Sequence, residues 1–159
     1  MSFASDLKDE LCKEVPEEES ALHALLYGFL LFSYKFRADE ISFSVLHEPT
    51  ARLFAEALMT HCGISAKITF KERVRGTLYK VCIEKASERR KVMDAFYHIP
   101  GEPHLRINRA NIENEEDVRY FLRGAYLVCG SLTNPEKDYH CEFDVSYMNL
   151  CKDLSALIG

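Results

Sequence analysis

The chain has 159 residues, 47% hydrophobic and 28% charged, which excludes disorder and suits one domain with a sizeable core. A net charge of −5 excludes a uniformly basic nucleic-acid binder, and six cysteines without a CxxC pair exclude a zinc ribbon or finger. Free, mostly buried thiols with no metal and no cofactor are therefore expected. The opening MSFASDLKDELCKEV has no apolar run that fits a signal peptide or a membrane span, so the reading is cytoplasmic.

Residues 2–14 read as a short amphipathic helix with Ser5 as N-cap and Leu7 and Leu11 inward. Pro16, three glutamates and Ser20 open a second helix, with the acids at the positive end of its dipole. The run ALHALLYGFLLFSYKF is apolar nearly all round, so this helix is central. Gly28 inside it costs about 1 kcal/mol unless it permits close packing. DEISFSVLHE alternates as a strand, with Ile41, Phe43 and Val45 on one face. Pro49 begins a helix to about Cys62, and Gly63 stops it. SAKITFKERVRGTLYKVCIEK reads as a hairpin around Arg75 and Gly76. In its first strand Ile64, Ala66, Ile68 and Phe70 face one way, while Lys67, Thr69, Lys71 and Arg73 face the other. A helix follows from Ser87 to about Tyr97, and IPGEP closes the unit.

A partial repetition then begins. Residues 115–131 form an apolar helix with Gly124 inside it, 138–147 an alternating strand, and Asn149 caps a further helix. The order matches that of residues 20–62. The chain thus divides into an N-terminal helical segment (1–19), a first repeat (20–100), a linker (101–114) and an incomplete second repeat (115–159).

Charge is unevenly placed. Between Lys67 and Lys91 nine basic residues stand against three acids, a local +6 that leaves −11 for the remainder. Lys67, Lys71 and Arg73 on one strand face, Arg75 at the hairpin tip, and Lys80 if its strand face agrees, are the candidate DNA contacts. A solvated charged sheet face is the alternative. His104, Arg106 and Arg109 either extend this basic surface or solvate the linker.

LYGFLLFSY (Leu26 to Tyr34) and LRGAYLVCG (Leu122 to Gly130) share a leucine and, two positions later, a glycine. Both resemble the motif helix of LAGLIDADG proteins. MSFASDLKDEL and LRGAYLVCGSLTNPEKDYHCEF further resemble the WhiA family of bacterial DNA-binding regulators, a likeness that covers essentially the whole chain. The resemblance implies an α+β, LAGLIDADG homing-endonuclease-like fold. Two αββαββα-type pseudo-repeats would bring Gly28 and Gly124 to a motif-helix interface beside antiparallel sheets, the second repeat being truncated. It also implies a helix-turn-helix after this region, so the chain is expected to be an N-terminal fragment. Self-association through the motif helices or the open edge of the unfinished sheet is a further expectation.

In LAGLIDADG nucleases an acid near the end of each motif helix holds divalent metal, because a hard cation takes oxygen ligands. Here Ser33 and Cys129 stand at those positions, so no catalytic residue is expected. Glu136 and Asp138 lie beyond the helix end and would be needed for a residual nuclease. The expected function is a non-catalytic, nucleoid-associated DNA-binding or regulatory domain. The resemblance ties it to transcriptional control of cell division, chromosome segregation and sporulation. A protein-interaction module that regulates the helix-turn-helix domain is the alternative.

Overall fold

Two apolar helices crossing at glycine organise the molecule. The structure, a computed structural model, describes residues 3–13, 15–33, 35–74, 76–98, 107–132 and 141–143. Helix α1 (Phe3–Lys13) leads to α2 (Glu19–Leu31), in which every residue from Ala24 to Leu31 is buried, as its nearly uninterrupted apolar sequence requires. Because α1 already begins at Phe3, Ser5 lies inside the first turn and is not its N-cap.

Helix α2 is shorter than its apolar run. It ends at Leu31, where the Leu30 carbonyl accepts from both the buried Ser33 hydroxyl at 2.6 Å and the Ser33 backbone N–H at 3.3 Å. Phe36, also apolar, belongs to a strand instead: β1 (Lys35–Phe36) pairs antiparallel with β2 (Ile41–Val45). Helix α3 (Glu48–Cys62) starts with Pro49 in its first turn and stops at Gly63, whose φ of 69° is the left-handed cap conformation. The hairpin follows as β3 (Lys67–Arg73) and β4 (Gly76–Ile83). Ile64 and Ala66 precede β3; Ile64 is nonetheless buried. Helix α4 (Ala86–Ala95) completes an αββαββα unit, and the sheet order is β1-β2-β4-β3.

Helices α2 and α3 cover one face of this sheet. Phe43 of β2 stacks on Phe29 of α2 at 6.2 Å and meets Phe54 of α3 edge-on at 4.8 Å. Aromatic pairs in these geometries add about 0.5–1.5 kcal/mol beyond the area they bury. Helix α1 is fastened to α3 by His47, which bonds Asp9 at 2.6 Å through Nε2 and the buried Thr50 hydroxyl at 2.7 Å through Nδ1.

After a 3₁₀ turn (Arg109–Asn111), helix α5 (Glu115–Cys129) packs against α2. The helix expected to reach residue 131 stops two residues earlier, and Gly130 and Ser131 open β5 (Gly130–Leu132) instead. Strand β5 pairs antiparallel with β6 (Cys141–Phe143), the described part of the strand expected over 138–147. Helix α5 followed by β5 and β6 thus repeats α2 followed by β1 and β2. The helix expected after Asn149 lies outside the described residues. So does the remainder of the strand expected over 138–147, and the expected self-association through an open sheet edge falls there too.

At the crossing, a methyl group added to Gly28 would collide with the Phe121 carbonyl oxygen and stand 2.8 Å from the Ala125 nitrogen. One added to Gly124 would strike the Leu25 carbonyl oxygen and stand 3.3 Å from the Gly28 Cα. The two backbones therefore touch, and the face on which they do so is buried within one chain.

Candidate nucleic-acid interface

The register of sheet β1-β2-β4-β3 decides which side chains share a surface. Lys67, Thr69 and Lys71 stand opposite Cys82, Lys80 and Leu78, and Arg73 opposite Gly76. Residues directly opposite in an antiparallel pair point to the same side, so Lys80 joins Lys67, Lys71 and Arg73. The same face continues through Ser44, opposite Lys80, and Ser42, opposite Cys82. Ser44 is exposed, whereas Ser42 is buried and donates to Glu40 at 2.8 Å. Lys35 takes the register position opposite Ser42.

All seven residues of β3 are exposed, as is Lys80. Glu72, the only acid on β3, alternates to the opposite side. Lys67 lies 3.7 Å from Glu84, a solvated pair worth little. Among the described residues Lys71, Arg73 and Lys80 have no ion-pair partner. This surface can hold a polyanion: cations about two residues apart along an extended strand lie at roughly phosphate spacing.

Not every base of the charged island serves that face. Arg89 on α4 donates through Nε to the Ala38 carbonyl at 2.9 Å and through Nη1 to the Ile83 and Glu84 carbonyls at 3.0 and 2.6 Å. It clasps α4 to the end of β4, a structural use the charge count could not distinguish. Arg90 and Lys91 are exposed on α4. Arg109 is exposed in the 3₁₀ turn, while Arg75, His104 and Arg106 lie outside the described residues.

Ser33 and Cys129, expected to stand where a nuclease carries its acids, are placed as follows. Ser33 is 3% exposed and its hydroxyl is committed to Leu30. Cys129 is the last residue of α5; its side chain, and Glu136 and Asp138, lie outside the described residues. Among the described residues no group of three or more His, Cys, Asp or Glu is arranged to hold a metal ion. Cys12, Cys62 and Cys82 are free and half-buried, less enclosed than expected. Burial pushes the Cys62 thiol up to about 11, with Lys91 opposing, so this thiol is unreactive at neutral pH.

A second polar constellation, invisible in the sequence, joins residues far apart in the chain. Asn111 is buried and its Nδ2 donates to the Phe96 carbonyl at 2.9 Å and the Asn108 carbonyl at 3.2 Å. Its Oδ1 must then accept from His23 Nε2 at 2.7 Å, which leaves His23 Nδ1 to accept from His61 Nε2 at 2.8 Å. The relay borders a cleft of about 350 Å³ whose lining includes Glu19, Ser20 and Tyr97. Burial, then the neighbouring His23, lowers the His61 pKa below 6.5, with Glu19 opposing. A depressed histidine pKa means that the unfolded chain binds more protons. Stability is therefore full above the ordinary value and falls as the pH drops through it. The melting temperature is expected to decline below about pH 6.5, and His61→Gln should flatten that decline in a thermal-melt series.

The comparisons with known proteins agree with this architecture. Residues 118–159 match the family described as the WhiA LAGLIDADG-like domain. The chain is 33% identical over 178 residues to the "Probable cell division protein WhiA" of Clostridium botulinum (strain Eklund 17B / Type B). It is 31% identical over 171 residues to that of Clostridium beijerinckii. Each alignment takes in 100% of this chain and 54% of the relative, so the chain spans about half the length of the curated relatives it matches. The crystal structure of full-length DUF199/WhiA from Thermatoga maritima is similar with a TM-score of 0.67 at 19% identity, over 99% of this chain and 48% of that one. The N-terminal LAGLIDADG domain of DUF199/WhiA gives 0.66 at 19% identity, over 98% and 70%. At such identities the structures speak for the fold, which is the α+β LAGLIDADG-like one. No helix among the described residues is long and apolar enough to cross a membrane.

Proposed function

The chain belongs to the WhiA family, and from that premise we propose that it is a DNA-binding, non-catalytic regulatory region that acts in cell division. The observation carrying this reading is the outer face of the sheet, where Lys67, Lys71, Arg73 and Lys80 share one surface without an acid of the same strands among them. Contacts from such a face go to phosphate, fix position rather than sequence, and weaken steeply with salt. Transcriptional control, chromosome segregation and sporulation belong to the same proposal, as does association with the nucleoid.

The non-catalytic part rests on chemistry at the motif-helix ends. Ser33 is an enclosed hydroxyl already bonded to a carbonyl, and Cys129 is a soft ligand type where a hard cation needs oxygen. Incubation of supercoiled DNA with Mg²⁺ or Mn²⁺ is expected to leave it intact. Nicking that disappears in Glu136→Gln would instead make the chain a nuclease.

The binding reading is tested by electrophoretic retention of duplex DNA at low salt. Lys71→Glu combined with Arg73→Glu should weaken retention about tenfold, the loss of two phosphate contacts plus added repulsion. Arg90→Glu with Lys91→Glu, the same change of charge placed on α4, should weaken it far less. Equal retention by the two double variants would show that only net charge matters and would remove the sheet face from the account.

A further inference from the structure

We propose that the edge of β3, unpaired among the described residues, docks an extended segment of a partner protein in which acidic and apolar residues alternate, adding it to the sheet as a further strand. This goes beyond the DNA reading, which uses the outer face of β3 and neither its edge nor its underside.

Strand β3 is an edge strand, and all seven of its residues are exposed. Its underside continues the apolar face that β2 and β4 bury with Phe43, Val81 and Ile83. At β3 that cover runs out: Ile68 is 42% exposed and Phe70 71%. Across from Phe70 stands Tyr79, half-buried. A seven-residue edge with a bare phenylalanine on one side and three cations on the other offers main-chain ladder groups together with alternating side-chain preferences.

Self-pairing of β3 with a second copy is opposed by its own charges. Antiparallel registers that keep the basic faces together and engage Phe70 set Lys67 against Arg73, Lys67 against Lys71, or Lys71 against itself. Registers that invert one copy place Phe70 beside Thr69 and Ile68 beside Lys71, losing the apolar match. The complement of β3 is a different sequence. Opposite Lys67, Lys71 and Arg73 it carries acids, opposite Ile68 and Phe70 apolar residues, opposite Thr69 a polar residue, and opposite Glu72 a base. Read antiparallel, that is acid, base, acid, apolar, polar, apolar, acid.

The test uses the whole chain and a fluorescein-labelled peptide Glu-Lys-Glu-Val-Thr-Val-Glu, followed by anisotropy. Saturable binding is expected, with a scrambled peptide of the same composition at least tenfold weaker. Ile68→Thr with Phe70→Thr keeps strand propensity but removes the apolar underside; it should cut peptide binding at least tenfold and leave DNA retention unchanged. Lys71→Glu should lose the peptide and regain binding to a version with lysine at the acid facing position 71. Absence of saturable binding, or equal binding of the scramble, overturns the proposal. So does a concentration-dependent dimer abolished by Phe70→Thr, which would make a second copy the occupant.

Discussion

Gly28→Ala is expected to destabilise the fold by about 3 kcal/mol or more, although alanine is the better helix former by about 1 kcal/mol. The sign follows from what the added methyl meets. Its neighbours are the Phe121 carbonyl oxygen and the Ala125 nitrogen, both backbone atoms of α5 that cannot rotate away. Relief requires the two central helices to part, opening the apolar interface lined by Leu25, Phe29 and Phe121. Gly124→Ala meets the Leu25 carbonyl in the same way and should cost a comparable amount. Since either variant forces the same separation, the double variant should lose clearly less than the sum. Urea denaturation of the three variants checks this, and a Gly28→Ala protein as stable as the parent would contradict the close crossing.

The second large effect is expected at Asn111. Asn111→Ala strands the Phe96 carbonyl and the His23 Nε2–H at a site that is 2% exposed, at a cost of about 2–4 kcal/mol, while the Asn108 carbonyl keeps the backbone N–H of residue 111. His23 is held further by stacking on Phe96 at 4.2 Å, so loss of the amide frees a ring that ties α2, α3 and the 3₁₀ turn together. A double-mutant cycle with His23→Ala is expected to show strong coupling, because the two side chains satisfy each other. Additive losses would mean that the relay is no unit.

Periodicity made the strongest elements legible. The alternation in KITFKER placed Lys67, Lys71 and Arg73 on one side of a strand, and the register adds Lys80 to them. The shared leucine–glycine spacing in α2 and α5 marked the paired helices, and their glycines face each other in the structure. What the sequence hid has physical causes. An uninterrupted apolar run conceals where α2 stops, because Leu31 and Phe36 are equally hydrophobic; the break comes from Ser33 bonding back to Leu30. The His23–His61–Asn111 relay joins residues 38 and 88 positions apart, beyond any local pattern. Arg89 looks like a surface cation until its donors are followed to three carbonyls.

The most direct measurement of the proposed role is the salt dependence of duplex DNA binding by the 159-residue chain. Four phosphate contacts, from Lys67, Lys71, Arg73 and Lys80, predict that log affinity falls against log salt with a slope of about −3 to −4. Substituting all four by glutamine should bring that slope close to zero and affinity to the detection limit. A slope left unchanged by the four substitutions, or a parent chain that does not bind duplex DNA at low salt, would contradict a sheet-face DNA interface.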